Sequence, residues 1–199
     1  VPNELDRLYQ AMGGNAVNAH TWHEETVYKV ELPKNRLEQW AVLESERFRE
    51  PVFRLFQTEL ETVYEEMNRA LDNKMRIIHY AVEEALYKTH PYGQQPTLGK
   101  VEHLKNPSLK NIEAYYNTWY VPNNMAIFIS GDINIPEAIA VIDQHFSGWK
   151  AKDVPDAGRV EEKPLQGREE VVVTYEGEEY VLLAFPTVSK HHEDAEALE

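Results

Sequence analysis

The segment TELETVYEEMNR, residues 58–69, places four glutamates in twelve positions of a pattern that predicts one helix. At about 100° per residue, Glu61 and Glu65 fall on the face opposite Val63. Glu59 and Glu66 are seven apart and share nearly one line, which borders the apolar stripe of Phe56, Leu60, Val63 and Met67. A carboxylate at a buried edge needs a cation, hydrogen bonds or a metal as partner. Glu65 can pair with Arg69 at i,i+4, Glu66 reaches Arg69 only at i,i+3, and Glu59 has no cation three or four residues on. A metal such as zinc accepts a carboxylate oxygen readily. The plain alternative is a solvated flank of an amphipathic helix.

A second candidate is HTWHEE, where His20 and His23 stand beside Glu24. Histidines at i,i+3 converge on a helix, but these fall in a strand and a turn, so whether they bind a metal stays open. His191 and His192 lie in a loop; His79, mid-helix, and His90, before Pro91, read as structural. GGNAVNAHT is either a glycine-stopped helix followed by a strand, or an exposed sheet edge that receives an extended peptide by backbone pairing. Gly13-Gly14 fits neither phosphate-binding glycine pattern, and no G-x-S-x-G nucleophile motif occurs.

The elements that must position these residues follow from periodicity and punctuation. Asn3 is expected to cap a helix carrying Leu5, Leu8, Tyr9 and Met12, which Gly13-Gly14 stops. Residues 15–21 and 26–32 predict two strands joined by 22–25. Pro33 opens a helix to about Phe48, with Leu37, Trp40, Ala41 and Phe48 on its apolar face. The glutamate-rich helix runs from about Phe53 to Asp72, and another from Met75 to Tyr87. Two prolines and two glycines predict an irregular loop over 89–100. Ser108 caps a helix to Trp119, residues 123–132 predict a buried strand with a turn at Gly131-Asp132, and Pro136 starts the next helix. Residues 170–175 and 180–185 predict a hairpin. The class is α+β: a mostly antiparallel sheet covered by helices. Its expected division is a first domain over 1–149, a linker over 150–168 and the start of a second domain over 169–199.

The bulk numbers narrow the partners. A formal charge of −14 argues against nucleic acid and against an anionic membrane surface, and no apolar run is long enough to span a bilayer. With 42% hydrophobic residues the chain can bury a core; with no cysteine it has neither disulfides nor thiolate metal sites. Val1-Pro2 directly before a helix, and an ending inside a helical pattern at 195–199, give the expectation of a fragment of a longer protein.

In order along the chain, GGNAVNAHTWHEETVY, ELETVYEEMNRALDN, HPYG with Gly99 downstream, and YYNTWYVPNNMAIFISGDI resemble the pitrilysin/insulinase family of zinc metallopeptidases, the inverzincins. The closing LLAFPTVSKHHEDAEAL resembles the start of that family's second, repeated domain. The resemblance implies a metalloendopeptidase that binds Zn2+ through two histidines of H-x-x-E-H and a glutamate on a later helix. By position, Glu66 matches the glutamate ligand and Glu59 the accessory acidic residue of the catalytic site. Val17, Asn18, Ala19 and His20 match the edge strand that pairs with substrate backbone. Peptides or unfolded polypeptides are the implied substrate, with the rest of the chain or a homologous subunit as partner, in a bacterial periplasm or secreted. H-x-x-E-H is absent from these 199 residues; in the family it precedes the stretch where this chain begins. The chain by itself is therefore expected to be inactive. The rival expectation is a non-catalytic subunit or peptide-binding member of the same fold.

Overall fold

A computed structural model describes residues 3–53, 56–105, 107–189 and 191–197. The class is α+β, rich in helix, and among the described residues the sheet has two strands. Helix α1 is Glu4–Ala11, followed by strands β1, Asn15–Thr21, and β2, Thr26–Glu31. Helices α2, Leu37–Arg49, α3, Phe56–Leu71, and α4, Lys74–Leu86, come next. Two short helices, α5, Pro91–Gln94, and α6, Val101–Lys105, precede α7, Leu109–Trp119, and α8, Ile135–Phe146. The chain divides into two compact units, Val1–Thr58 with Asn106–Ala157, and Glu59–Lys105 with Gly158–Glu199.

In the first unit, β1 and β2 pair antiparallel, with Asn18 opposite Lys29, Ala19 opposite Tyr28, His20 opposite Val27 and Thr21 opposite Thr26. Between Asn15, opposite Glu31, and Asn18 the register shifts by one residue: β1 carries a bulge. Ala16 there has φ +51°, the left-handed conformation that an alanine adopts only under constraint. The turn closes with Trp22 N–H donating to the Glu25 carbonyl at 2.8 Å. Helices α2 and α8 pack together; Ala41 is fully buried and the Trp40 and Phe146 rings sit 6.3 Å apart. Tyr9, Val121 and Ala138 join Ala41 in the buried apolar set of this unit among the described residues, and Glu44 and Ser45 are buried with them.

Local signals hold at several helix starts. The Ser108 hydroxyl accepts from Asn111 N–H at 3.3 Å, and Asn134 accepts from Glu137 N–H at 3.3 Å, with Pro136 in the first turn. Asn3 departs from its expectation. It occupies the N-cap of α1 but at φ 56°, with no side-chain cap bond; only its carbonyl takes part, accepting from Arg7 N–H at 3.0 Å. The helix expected from Pro33 starts as a 3-10 turn, Lys34–Arg36, before α2. For α3 the expected start at about Phe53 is not helical; the described helix runs from Phe56, and residues 54 and 55 lie outside the described set.

Three expected strands do not form among the described residues. Segments 123–132, 170–175 and 180–185 carry no ladder bonds, and several of their large side chains are open: Phe128 is 93% exposed, and Val172 and Val181 are exposed to a similar degree. An apolar, β-branched run makes a chain ready for a sheet, but a strand exists only through a neighbour's N–H and C=O groups and a layer that covers its apolar face. No described segment supplies either.

The loop expected over 89–100 also needs correction, because it contains α5. Pro91 takes the first helical position, where its missing N–H is not needed, and His90 Nδ1 caps the turn by accepting from Tyr92 N–H at 3.3 Å. Gln94 Nε2 donates to the Tyr87 carbonyl at 2.9 Å, tying α5 to the end of α4.

Candidate functional site

Each group of candidates belongs to one element. Val17, Asn18, Ala19 and His20 are consecutive on β1, all of whose seven residues are exposed, whereas β2 half-buries Val27 and Val30. Asn18 Oδ1 accepts from the Ala19 N–H at 2.8 Å. In a two-stranded sheet each strand has one side without a partner, so β1 presents a free edge among the described residues. The hydroxyls of Thr21 and Thr26 meet at 3.2 Å beside the turn.

Glu59 and Glu66 are both on α3, seven residues or ~10 Å apart along its axis. Of the stripe they flank, Met67 is 5% exposed, and Phe56, Leu60 and Val63 are half-buried. The carboxylates themselves are exposed, Glu59 and Glu66 as well as Glu61 and Glu65. In this chain burial therefore does not set Glu66 apart from Glu65, and the distinction between them rests on position in the motif.

His20 lies in β1 and His23 in the turn, where the Trp22 and His23 rings meet edge-on at 5.2 Å. Among the described residues no group of three or more His, Asp or Glu side chains is placed to hold a metal ion. A catalytic zinc takes three protein ligands and an open position. The donor set present does not fit that metal, since Glu66 offers one carboxylate.

Two acidic residues escaped the sequence reading. Glu44 falls on the apolar stripe of α2 between Ala41 and Phe48, and that placement was the signal: a carboxylate on a core line is either paired or misplaced. It is 4% exposed and bonded to Tyr9 and Arg47. Glu162, in a segment of linker composition, left no comparable mark, although it holds the His90 loop by two backbone bonds.

Comparison with known proteins gives this arrangement its context. Residues 2–99 match the family model described as insulinase, peptidase family M16, and residues 108–199 match the model described as the peptidase M16 inactive domain. The chain is 30% identical over 153 residues to the probable zinc protease PqqL of Escherichia coli, covering 73% of this chain and 16% of that protein. It is 26% identical over 204 residues to the zinc protease PqqE of Helicobacter pylori, covering 98% of this chain and 45% of the relative. The fold matches the crystal structure of the first half of the periplasmic protease PqqL from Escherichia coli with a TM-score of 0.70 at 28% identity, over 79% of this chain and 35% of that one. The chain thus spans less than half the length of these relatives, and it belongs to the insulinase family of peptidases, family M16.

Proposed function

We propose that this chain is part of a zinc-dependent metalloendopeptidase, in which β1 receives the peptide as an added strand and α3 contributes to the metal centre. Its relatives carry the name zinc protease, which supports the reaction class. The observation that carries the site reading is the wholly exposed strand β1. Its outer N–H and C=O groups can extend the ladder onto a substrate backbone through 17–20, which selects extended or unfolded chains over folded ones. Glu66 is assigned as the carboxylate ligand to Zn2+ and Glu59 as the accessory acid. The remaining ligands come from elsewhere in the full-length protein or from a homologous subunit. The division into 1–149, 150–168 and 169–199 is kept as the domain proposal. A bacterial periplasmic or secreted location is proposed from the solved relative, which is described as periplasmic. Among the described residues no helix is long and apolar enough to cross a membrane.

A second reading, a non-catalytic subunit or peptide-binding member, draws support from the match of 108–199 to a model described as an inactive domain. The two separate in the full-length protein by Glu66→Gln and Glu59→Gln, assayed for zinc by atomic absorption and for turnover of a fluorogenic peptide. Glu66→Gln is expected to lose both zinc and turnover, because a neutral amide is a poorer ligand than a carboxylate. Glu59 is too far along the helix to share that coordination position, so Glu59→Gln keeps zinc and loses ~10–100-fold in activity. A Glu66→Gln enzyme with full zinc and near-normal turnover overturns the assignment. A full-length protein with neither zinc nor turnover supports the second reading.

A further inference from the structure

A buried polar cluster in the first unit joins α1, α2, β2 and α7, and it leads to the strand that pairs with β1. Its centre is Glu44, whose carboxylate accepts from the Tyr9 hydroxyl at one oxygen and from Arg47 Nη2 at the other. The side chain of Glu44 is 6% exposed and that of Arg47 27%. A carboxylate held this far from water persists only when both its oxygens are paired, so the two bonds together fix where Arg47 lies.

What Arg47 does with its remaining surface is the informative part. Its Nε is buried and finds no hydrogen-bond acceptor. Instead the guanidinium plane rests on two rings, with its Cζ 4.7 Å from the centroid of Tyr28 and 4.4 Å from that of Phe48. Phe48 belongs to α2 itself, but Tyr28 is in β2, directly opposite Ala19 of β1. Behind them the aromatic stack continues: Tyr28 meets Phe48 edge-on at 5.2 Å, the Tyr28 and Tyr120 hydroxyls are 3.3 Å apart, and Tyr116 stacks on Tyr120 at 4.3 Å. The Tyr116 hydroxyl then donates to the Phe48 carbonyl at 2.9 Å, which closes the cluster on α2. Burial foremost pushes the Tyr116 phenol up to about 12 and raises those of Tyr9 and Tyr28, so all three stay neutral near pH 7.

We infer that Tyr9, Glu44 and Arg47 form a clamp that holds the β1–β2 hairpin in place through the ring of Tyr28, making Arg47 a positioning residue for peptide binding at the β1 edge. The hairpin has few buried side chains of its own to fix it, since β1 is exposed throughout and β2 half-buries only two residues. An isolated two-stranded ribbon is marginal in water, so its position must come from such an anchor. A guanidinium suits the task because its planar face stacks on rings while its edge bonds the carboxylate; an ammonium can do only the second. The peptide-binding half of this inference rests on the edge-strand reading above.

Four variants of the full-length protein test it, read by hydrogen exchange of the β1–β2 amides and by peptide kinetics. Arg47→Lys keeps Glu44 paired but removes the planar face, and Tyr28→Leu keeps the ion pair but removes the ring. Both are expected to speed exchange in β2 roughly tenfold, while α7 and α8 stay protected. Both raise KM for a peptide roughly 3–30-fold with kcat within about twofold, the range a cation–π contact supports. Tyr28→Phe keeps the ring and should behave as wild type in both assays. Arg47→Met, which strands the Glu44 charge, should show the same changes or greater where it folds. Unchanged hairpin exchange in Arg47→Lys and Tyr28→Leu overturns the clamp, whatever KM does. Faster exchange with unchanged KM leaves the clamp standing and overturns the edge-strand reading. A lowered melting temperature with unaltered hairpin exchange and KM shows a merely structural role and overturns the positioning assignment.

Discussion

Glu162 holds His90: one carboxylate oxygen of Glu162 accepts from the backbone N–H of both Thr89 and His90, each at 2.8 Å. Lys88 pairs with Glu169 alongside, and Thr89 Oγ1 donates to the Glu161 carbonyl at 3.4 Å. A segment with no regular structure is thereby fastened to the turn that leads into α5. The bonds from Thr89 and His90 are the main cause that holds the Glu162 carboxyl well below its ordinary 4.5, at about 2.

The sign of the pH dependence follows. A depressed carboxyl contributes while ionised, so the tie is complete above pH 4.5 and is lost as the pH falls through about 2. Exchange protection of the Thr89 and His90 amides should fall across that window, and Glu162→Gln should weaken it already at neutral pH. Equal protection in wild type and Glu162→Gln at neutral pH would refute the tie.

Gly93 and Gly99 make a contrasting pair. A Cβ on Gly93 would run into the carbonyl oxygens of Tyr87 and Glu83, both backbone, so neither can swing aside. Gly93→Ala should cost about 1–3 kcal/mol through forced displacement of α5 from the end of α4. Gly99 has φ +78° and open space around it, so Gly99→Ala should cost about 1–2 kcal/mol from backbone strain alone. Thermal denaturation measures both losses. Restoring the Glu83 and Tyr87 contacts by repacking cannot rescue Gly99→Ala, and a crystal structure of Gly93→Ala with α5 unmoved would disprove the steric account.

The same reasoning that reads helices from sequence explains what it reached here. Ser108 was legible because a cap is a contact between residues three apart, and Pro136 because proline suits a helix's first turn. The hairpin was legible because its turn and its strands are adjacent, and α3 because its stripe repeats over about three turns. Residues 125–130 form an apolar run of strand length, yet Phe128 stands open, because pairing is decided by a partner that the segment's own residues do not encode. His90 as a cap was hidden by the Pro and Gly beside it, which read as breakers although Pro91 sits where a helix tolerates it. Glu44 has a hydroxyl partner 35 residues away, beyond any local pattern. At the candidate site the spacing of Glu59 and Glu66 was legible, but their exposure was not, since burial of a helix flank depends on what packs beside it.

Titration calorimetry of the chain alone with zinc should give weak binding or none, and the chain should leave peptides uncut, because one motif carboxylate cannot replace three ligands. Sub-micromolar affinity that vanishes in His20→Ala or His23→Ala would instead assign HTWHEE a metal of its own.

The bulge at the start of β1 carries a consequence for how this strand tolerates gain and loss of residues. Beyond it, every pair from Asn18 to Thr21 keeps one constant offset against β2, and only Asn15 stands one step out of phase. A single-residue deletion at Ala16 or Val17 would be absorbed on the spot, turning the bulge into plain ladder and releasing the left-handed alanine, with 18–21 undisturbed. The same deletion three residues later would turn every following side chain to the opposite face. Length variation among relatives is therefore admissible at this one hinge of the count and forbidden just past it, and a one-position gap at 16–17 in an alignment marks a straightened strand rather than a misplaced one.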